Sequence, residues 1–439
     1  MNTSFGRIVV GTLIVVFAVT NSICVGDDWT RFLGPNGTAT DSSASIPSTW
    51  NLSENMAWQV GLPGFGSSSP IVVGDRVFVT CYSGFGLDPE APGNAADLRR
   101  HLVCLDRLSG QLLWDKPILS EHEEDPYQGF IREHGYASST PASDGHRLFV
   151  LFGKSGLYAF DLDGNVLWHK NLGTFSDPAK WGDGCSPVLY KNLVIINVGN
   201  VGRALVALQQ DNGEEAWRID DERFGNSWST PILVELPERT ELVLNIPSQV
   251  IGIDPDSGKL LWHATSPVTQ TTCASLAQHE GIVFVMGGRD GKAAAIRCGG
   301  SGDVTETHTV WTQPLRAGIG TPLVSDGLLY WHSNRVATCA DCATGTEVFR
   351  ERMPSIATPA PERRGPAGDY ASAIRAGDKI ILLSRDGYAV VIACDREFKV
   401  LGIGEFGDDP GPFNATPALD GDQMFVRSNR AIYCVSQRD

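Results

Sequence analysis

Residues 138–168 read SSTPASDGHRLFVLFGKSGLYAFDLDGNVLW. A Ser/Thr-Pro step leads into a strand, a DG turn, an apolar strand, a KSG turn, an alternating strand, a second DG turn and a closing Trp168. Every connection is short and holds a residue that tolerates positive φ, so the stretch is expected to run as a four-stranded antiparallel meander. The unit recurs along the chain. Pro70, Pro187, Pro231, Leu276, Pro322, Ala373 and Pro417 align with Pro141, at successive spacings of 71, 46, 44, 45, 46, 51 and 44 residues. A period of about 45 residues built from four short strands is the signature of a β-propeller.

The second half of the unit is the most regular. CLDRLSGQLLW (104–114), AFDLDGNVLW (159–168), ALQQDNGEEAW (207–217), GIDPDSGKLLW (252–262) and CADCATGTEVF (339–349) share a strand, a polar cap, a turn glycine and a terminal aromatic. The glycine permits the left-handed conformation of a bulged hairpin, and the aromatic is expected to fill the space between neighbouring blades. Two copies break the pattern: GGSGDVTETHT replaces the tight turn before Trp311, and ACDREFKVLG has neither turn glycine nor Trp.

The ends complete each other. Trp58, in NMAWQVG, reads as a closing strand with no earlier strands to close, while residues 414–437 supply three strands and stop before a closing Trp. Pairing the N-terminal strand with the C-terminal three closes an all-β ring of eight four-stranded blades and removes the exposed edges. The expected organisation is an export signal over 1–26, an extended segment over 27–54 pinned to the body by its aromatics, and the propeller over 55–439.

The formal charge of −16 leaves no basic footprint for nucleic acid or an anionic membrane surface. Arg7 followed by the apolar run Ile8–Val19 and then NSICVGDD fits a cleaved signal, with no stable membrane span after cleavage. Cleavage there leaves nine cysteines. Cys104, Cys298, Cys339 and Cys434 read as occupants of one small buried slot, filled elsewhere by Ala159 and Ala207, rather than as a disulfide framework. The CxxC of Cys339 and Cys342 overlies the ordinary turn pattern and has no second pair to complete a zinc site.

With these motifs the chain resembles the pyrroloquinoline quinone (PQQ) repeat family over residues 55–439. That family holds eight-bladed quinoprotein dehydrogenases and non-enzymatic propellers such as the outer-membrane assembly factor BamB. WTRFLGPNG, GFGSSSPIVVGDRVFVT, REHGYASSTP and WGDGCSPVLYKNLVIIN are similar to exported PQQ-like propellers of planctomycete-type bacteria, in which FRGPN is common where this chain carries Leu33. The resemblance implies, for an enzyme, PQQ between a Trp floor and a disulfide of adjacent cysteines, beside Ca²⁺ held by Glu, Asn and Asp, with an Asp as base. The chain contains no adjacent cysteine pair. No GxSxG elbow or Rossmann or Walker glycine fingerprint in a strand-turn-helix context is present either.

HEED at 122–125, with Glu133 and His134 nearby, gathers carboxylates and imidazoles suited to a divalent ion or to acid–base work, but its place in a loop predicts solvated charge. Ser138 and Ser139 beside His134 raise a hydrolase reading. If the innermost strand starts at each Ser/Thr-Pro step, the residues before it face the mouth of the central channel: His134, Tyr136, Trp181, Asp183, Trp228, Asp369, Tyr370 and Asn414. The expected function is a binding or assembly scaffold of the cell envelope with no catalytic residues, no metal and no cofactor, engaging an envelope protein or a small ligand at that mouth. The alternatives are a PQQ- and calcium-dependent alcohol or sugar dehydrogenase, and a polysaccharide- or peptide-binding module.

Overall fold

A computed structural model describes residues 28–177, 180–287, 290–354 and 368–437. The expected export signal lies outside the described residues. Eight antiparallel sheets form the ring. Blade 1 comprises Ile71–Val73, Arg76–Ser83, Arg99–Asp106 and Leu112–Leu119. Blades 2 to 7 follow in chain order over 142–170, 188–220, 232–265, 277–313, 323–352 and 374–405. Blade 8 joins Ala418–Asp420, Gln423–Arg427 and Ala431–Ser436 to the N-terminal strand Met56–Gly61, with Trp58 opposite Cys434. The two ends of the chain thus share one sheet, and the ring is closed as the sequence predicts.

Two repeated contacts explain the repeated residues. The first is a belt around the hub. The backbone N–H of Ser69 donates to Thr140 Oγ1 (2.9 Å), and Thr140, Ser186, Thr230, Ser275, Thr321 and Ser372 pass the same bond on to Ser186, Thr230, Ser275, Thr321, Ser372 and Thr416. Each acceptor is the residue directly before the aligned Pro, Leu or Ala. The hydroxyl stitches one blade to the next and satisfies a buried amide that has no strand partner. The second contact is aromatic. Trp58, Trp168, Trp217 and Trp311 each lie over the turn glycine of the following blade, Gly110, Gly213, Gly258 and Gly345. Their indole N–H groups donate to turn carbonyls of the same blade, at Arg107, Gln210, Pro255 and Cys342 (2.8–2.9 Å). At Gly213 the demand is double: φ is +70°, and an added methyl would lie 2.6 Å from the Trp168 ring.

The strand register corrects one expectation and accounts for the slot. Cys104, Ala159, Ala207, Gly252, Ala295, Cys339 and Cys434 stand directly across from the closing aromatics Trp114, Trp168, Trp217, Trp262, Trp311, Phe349 and Trp58. A small residue is required there to seat the ring. In blade 5 it is Ala295, not Cys298, which lies beyond the strand end because the long loop before Trp311 shifts the alignment.

The irregular copies are compensated by neighbours. In the fifth, Gly302–Asp303 of the long loop adds a parallel fifth strand to Leu260–Thr265 of blade 4. Trp262 there finds no turn glycine and donates instead to the fully buried Glu241 (2.7 Å), which also takes the Gly299 N–H and pairs with Arg239. In blade 7 the missing aromatic is supplied by Trp50, which is 1% exposed and lies against Gly404 of the outer strand.

Trp50 belongs to the segment 28–54, which crosses the end of the hub where the innermost strands turn outward. Its carbonyls at Trp29, Thr30 and Ala39 accept from Val72 of blade 1, Ser143 of blade 2 and Arg375 of blade 7, and Ser45 donates to Gly421 of blade 8. Among the described residues no helix is long and apolar enough to cross a membrane.

Candidate functional site

The loops before the innermost strands converge around a cup of about 450 Å³ on the hub axis. Its wall carries the hydroxyls of the belt, and Phe32, from the crossing segment, reaches it from the floor. One side is a continuous aromatic surface: Phe130 and Trp181 rings are 4.5 Å apart and Trp181 and Trp228 5.0 Å apart. Trp228 is fixed by donation of its indole N–H to Gly182 O (2.7 Å). Tyr370 and Arg316 line other parts of the wall. The cup opens into a vestibule of about 480 Å³ over blades 6, 7, 8 and 1, which shares Ser67, His134, Asn334, Gly368 and Asp369 with it.

Six of the eight residues expected at the mouth meet there: His134, Trp181, Trp228, Asp369, Tyr370 and Asn414. Asp369 accepts the backbone N–H groups of Arg335 (3.1 Å) and Arg385 (3.0 Å), tying together turns of blades 6 and 7. The Arg385 guanidinium lies over the Tyr370 ring at 4.7 Å and binds Glu133 Oε2 at 2.6 Å. Asn414 donates to Glu133 O (2.6 Å), while its Oδ1 is buried with no hydrogen-bond partner among the described residues.

Tyr136 and Asp183 are not brought to the cup. Both line a separate recess of about 20 Å³ beside it. Tyr136 packs edge-on to Tyr82 at 5.4 Å and donates to Asp125 O, because the link 120–136 folds down against an aromatic cluster of blade 1. Burial pushes the Asp183 carboxyl up to about 7, against the pull of the nearby Arg100.

The same link overturns the expectation of solvated charge. Glu124 and Asp125 are buried, at 8% exposure each. Arg100 grips Glu124 bidentately (2.7 and 2.9 Å), and Lys154 reaches Asp125 (3.3 Å) and Glu123 O (3.0 Å). The carboxylates anchor the link: a buried pair is costly to break because one charge is left unpaired. Arg100 and Lys154 lie in other blades' strands and turns, and no local sequence pattern connects them to HEED.

His134 Nδ1 lies 2.7 Å from Ser138 Oγ, and burial draws the imidazole down to about 4, so it is neutral at pH 7. Among the described residues no carboxylate hydrogen-bonds the imidazole. The nearest acid, Glu133, is engaged by Arg385. The imidazole also hydrogen-bonds the Trp181 backbone, so His134 ties the loop before blade 2 to the aromatic wall of the cup. Cys339 and Cys342 are buried free thiols, each pushed up to about 12 by burial. Among the described residues no group of three or more His, Cys, Asp or Glu is placed to hold a metal ion.

Sequence reasoning missed Phe32, Phe130, Arg316 and Arg385. Arg316, in RAGIGTP, precedes a Thr-Pro step as the accepted residues do, so the same rule reaches it. Arg385 projects from the turn between the second and third strands, a class of loop that also faces the mouth.

A family model described as outer membrane protein assembly factor BamB matches residues 98–351, more than half of the chain. No curated protein matches the sequence. Among solved structures, the fold is similar to BamB from Moraxella catarrhalis, with TM-score 0.58 and 11% identity over 88% of this chain and 97% of that one. It is also similar to quinohemoprotein alcohol dehydrogenase from Comamonas testosteroni, with TM-score 0.64 and 13% identity over 94% and 81%. A europium-containing methanol dehydrogenase gives TM-score 0.63 and 12% identity over 91% and 89%. Identities this low show a shared fold, and one fold hosts both an assembly factor and dehydrogenases.

Proposed function

We propose that this chain, which belongs to the outer membrane protein assembly factor BamB family, is an exported, non-catalytic propeller that serves the cell envelope as a binding scaffold, with its recognition site at the hub mouth. The observation that carries this reading is the cup itself. It is open at the mouth, reached from the floor by Phe32, and walled by aromatic rings and short hydroxyls. Aromatic and polar groups converging on a pocket of this size are what recognition sites use.

The PQQ- and calcium-dependent alternative meets a donor set that does not fit it. Among the described residues the one carboxylate lining the cup is Asp369, and both its oxygens are engaged by backbone N–H groups. There is no adjacent cysteine pair in the chain. The scaffold reading therefore expects no saturable absorbance change on titration with PQQ and Ca²⁺ and no dye-linked alcohol or sugar oxidation; turnover would sink it. Its positive test is capture of partners from envelope extract by wild type and by a Trp228→Ala, Tyr370→Ala variant. Loss of the wild-type partner is expected, and identical capture rejects the mouth as the site.

A further inference from the structure

We infer that the cup and its vestibule form one cleft for a short acidic oligosaccharide, which lays sugar ring faces on Phe130, Trp181 and Trp228 and presents a carboxylate to Arg316. The inference rests on the reading of the mouth as a binding site and names its ligand.

The charge distribution is the first argument. The chain carries −16 overall, yet among the described residues the cleft is lined by five arginines and three carboxylates. Arg335 and Arg385 are paired with Asp386 and Glu133. Arg316, exposed on the cup wall, has no carboxylate partner among the described residues, and neither do Arg132 and Arg430 in the vestibule. The guanidinium of Arg430 is held over Phe65 at 4.8 Å, which fixes its position without neutralising it. A guanidinium fork matches a carboxylate bidentately, so these three are free to take acidic groups spaced along a chain.

The second argument is the surface chemistry. A pyranose has apolar C–H faces and a polar rim. The contiguous aromatic wall suits the faces, and the surrounding Ser, Thr and Asn groups suit the rim. The orphan Asn414 Oδ1 is an acceptor in search of a donor, which a sugar hydroxyl supplies. An extended peptide would instead call for an open strand edge, and at the innermost strands of blades 1, 2 and 7 that edge is taken by the crossing segment 28–54.

The test titrates the full chain with tetragalacturonate, with a neutral tetrasaccharide and with an acidic tetrapeptide, following tryptophan fluorescence and heat. Saturable binding of the acidic sugar is expected, about tenfold or more tighter than either control. Arg316→Gln, a change at an exposed residue, should weaken it about tenfold and leave the neutral sugar unaffected; Trp181→Ala should weaken both sugars. Equal affinity for the neutral sugar, a preference for the peptide, or indifference to Arg316→Gln overturns the inference. Should no sugar bind while envelope capture still depends on Trp228 and Tyr370, the ligand class is wrong and the binding site stands; should that dependence also be missing, both fall.

Discussion

Gly213→Ala tests the mortar between blades. Gly213 has φ +70° and stands against Trp168 of the preceding blade; Gly145 has φ +87° with open space where its methyl would go. At either site a left-handed alanine costs about 1–2 kcal/mol, offset by about 0.4–1 kcal/mol from the stiffer unfolded chain. Gly145→Ala should therefore lose about 1 kcal/mol. At Gly213 the methyl meets the indole at 2.6 Å, adding an overpacking cost of about 1–3 kcal/mol. Equilibrium urea unfolding followed by tryptophan fluorescence reads the difference, and hydrogen exchange in blades 2 and 3 locates it. In a Trp168→Leu background the excess at Gly213 should vanish. Equal losses at the two glycines, or an excess that survives removal of the indole, would refute the claim that ring and turn glycine lock adjacent blades.

Thr230→Val removes the acceptor for the Ser186 N–H in the buried belt and should cost about 1–3 kcal/mol, whereas Thr230→Ser should be near neutral in the same urea assay. Trp50→Ala should raise hydrogen exchange over Val400–Glu405, the strand it covers, and leave blade 3 unchanged. Two half-buried groups oppose each other with pH. His134, held near 4 against an ordinary 6.5, takes up its proton more readily when unfolded, so stability is lost as pH falls from about 6.5 towards 4. Asp183, held near 7 against 3.8, keeps its proton in the fold, so stability is lost as pH rises from about 4 to 7. Melting temperatures across pH 4–7 should rise with pH in Asp183→Asn and fall with pH in His134→Asn, with wild type between the two.

The ring was legible because its signal is local and repeated. Ser/Thr-Pro steps, turn glycines and closing aromatics recur at one spacing, and the unpaired Trp58 strand matched the unclosed C-terminal blade. What the sequence concealed is contact between distant segments. Nothing in HEED announces that Arg100 and Lys154 will bury Glu124 and Asp125. Nothing in ACDREFKVLG announces that Trp50, some 350 residues earlier, supplies its aromatic. The channel-mouth rule found the residues on the loops it considered. It erred for Tyr136 and Asp183, which line the recess beside the cup; Tyr136 is drawn there by an aromatic cluster of blade 1, a contact with no spacing to read.

The central claim, that the hub mouth is where this protein engages its partner or ligand, is tested most directly by site-specific photocrosslinking. A benzophenone side chain at Ile319, on the cup wall, is compared with one at Leu167, which is 49% exposed on the outer edge of blade 2. In cells producing the full-length protein, a discrete adduct is predicted from position 319 and none from position 167. Adducts from the outer edge alone, with position 319 silent, would contradict it.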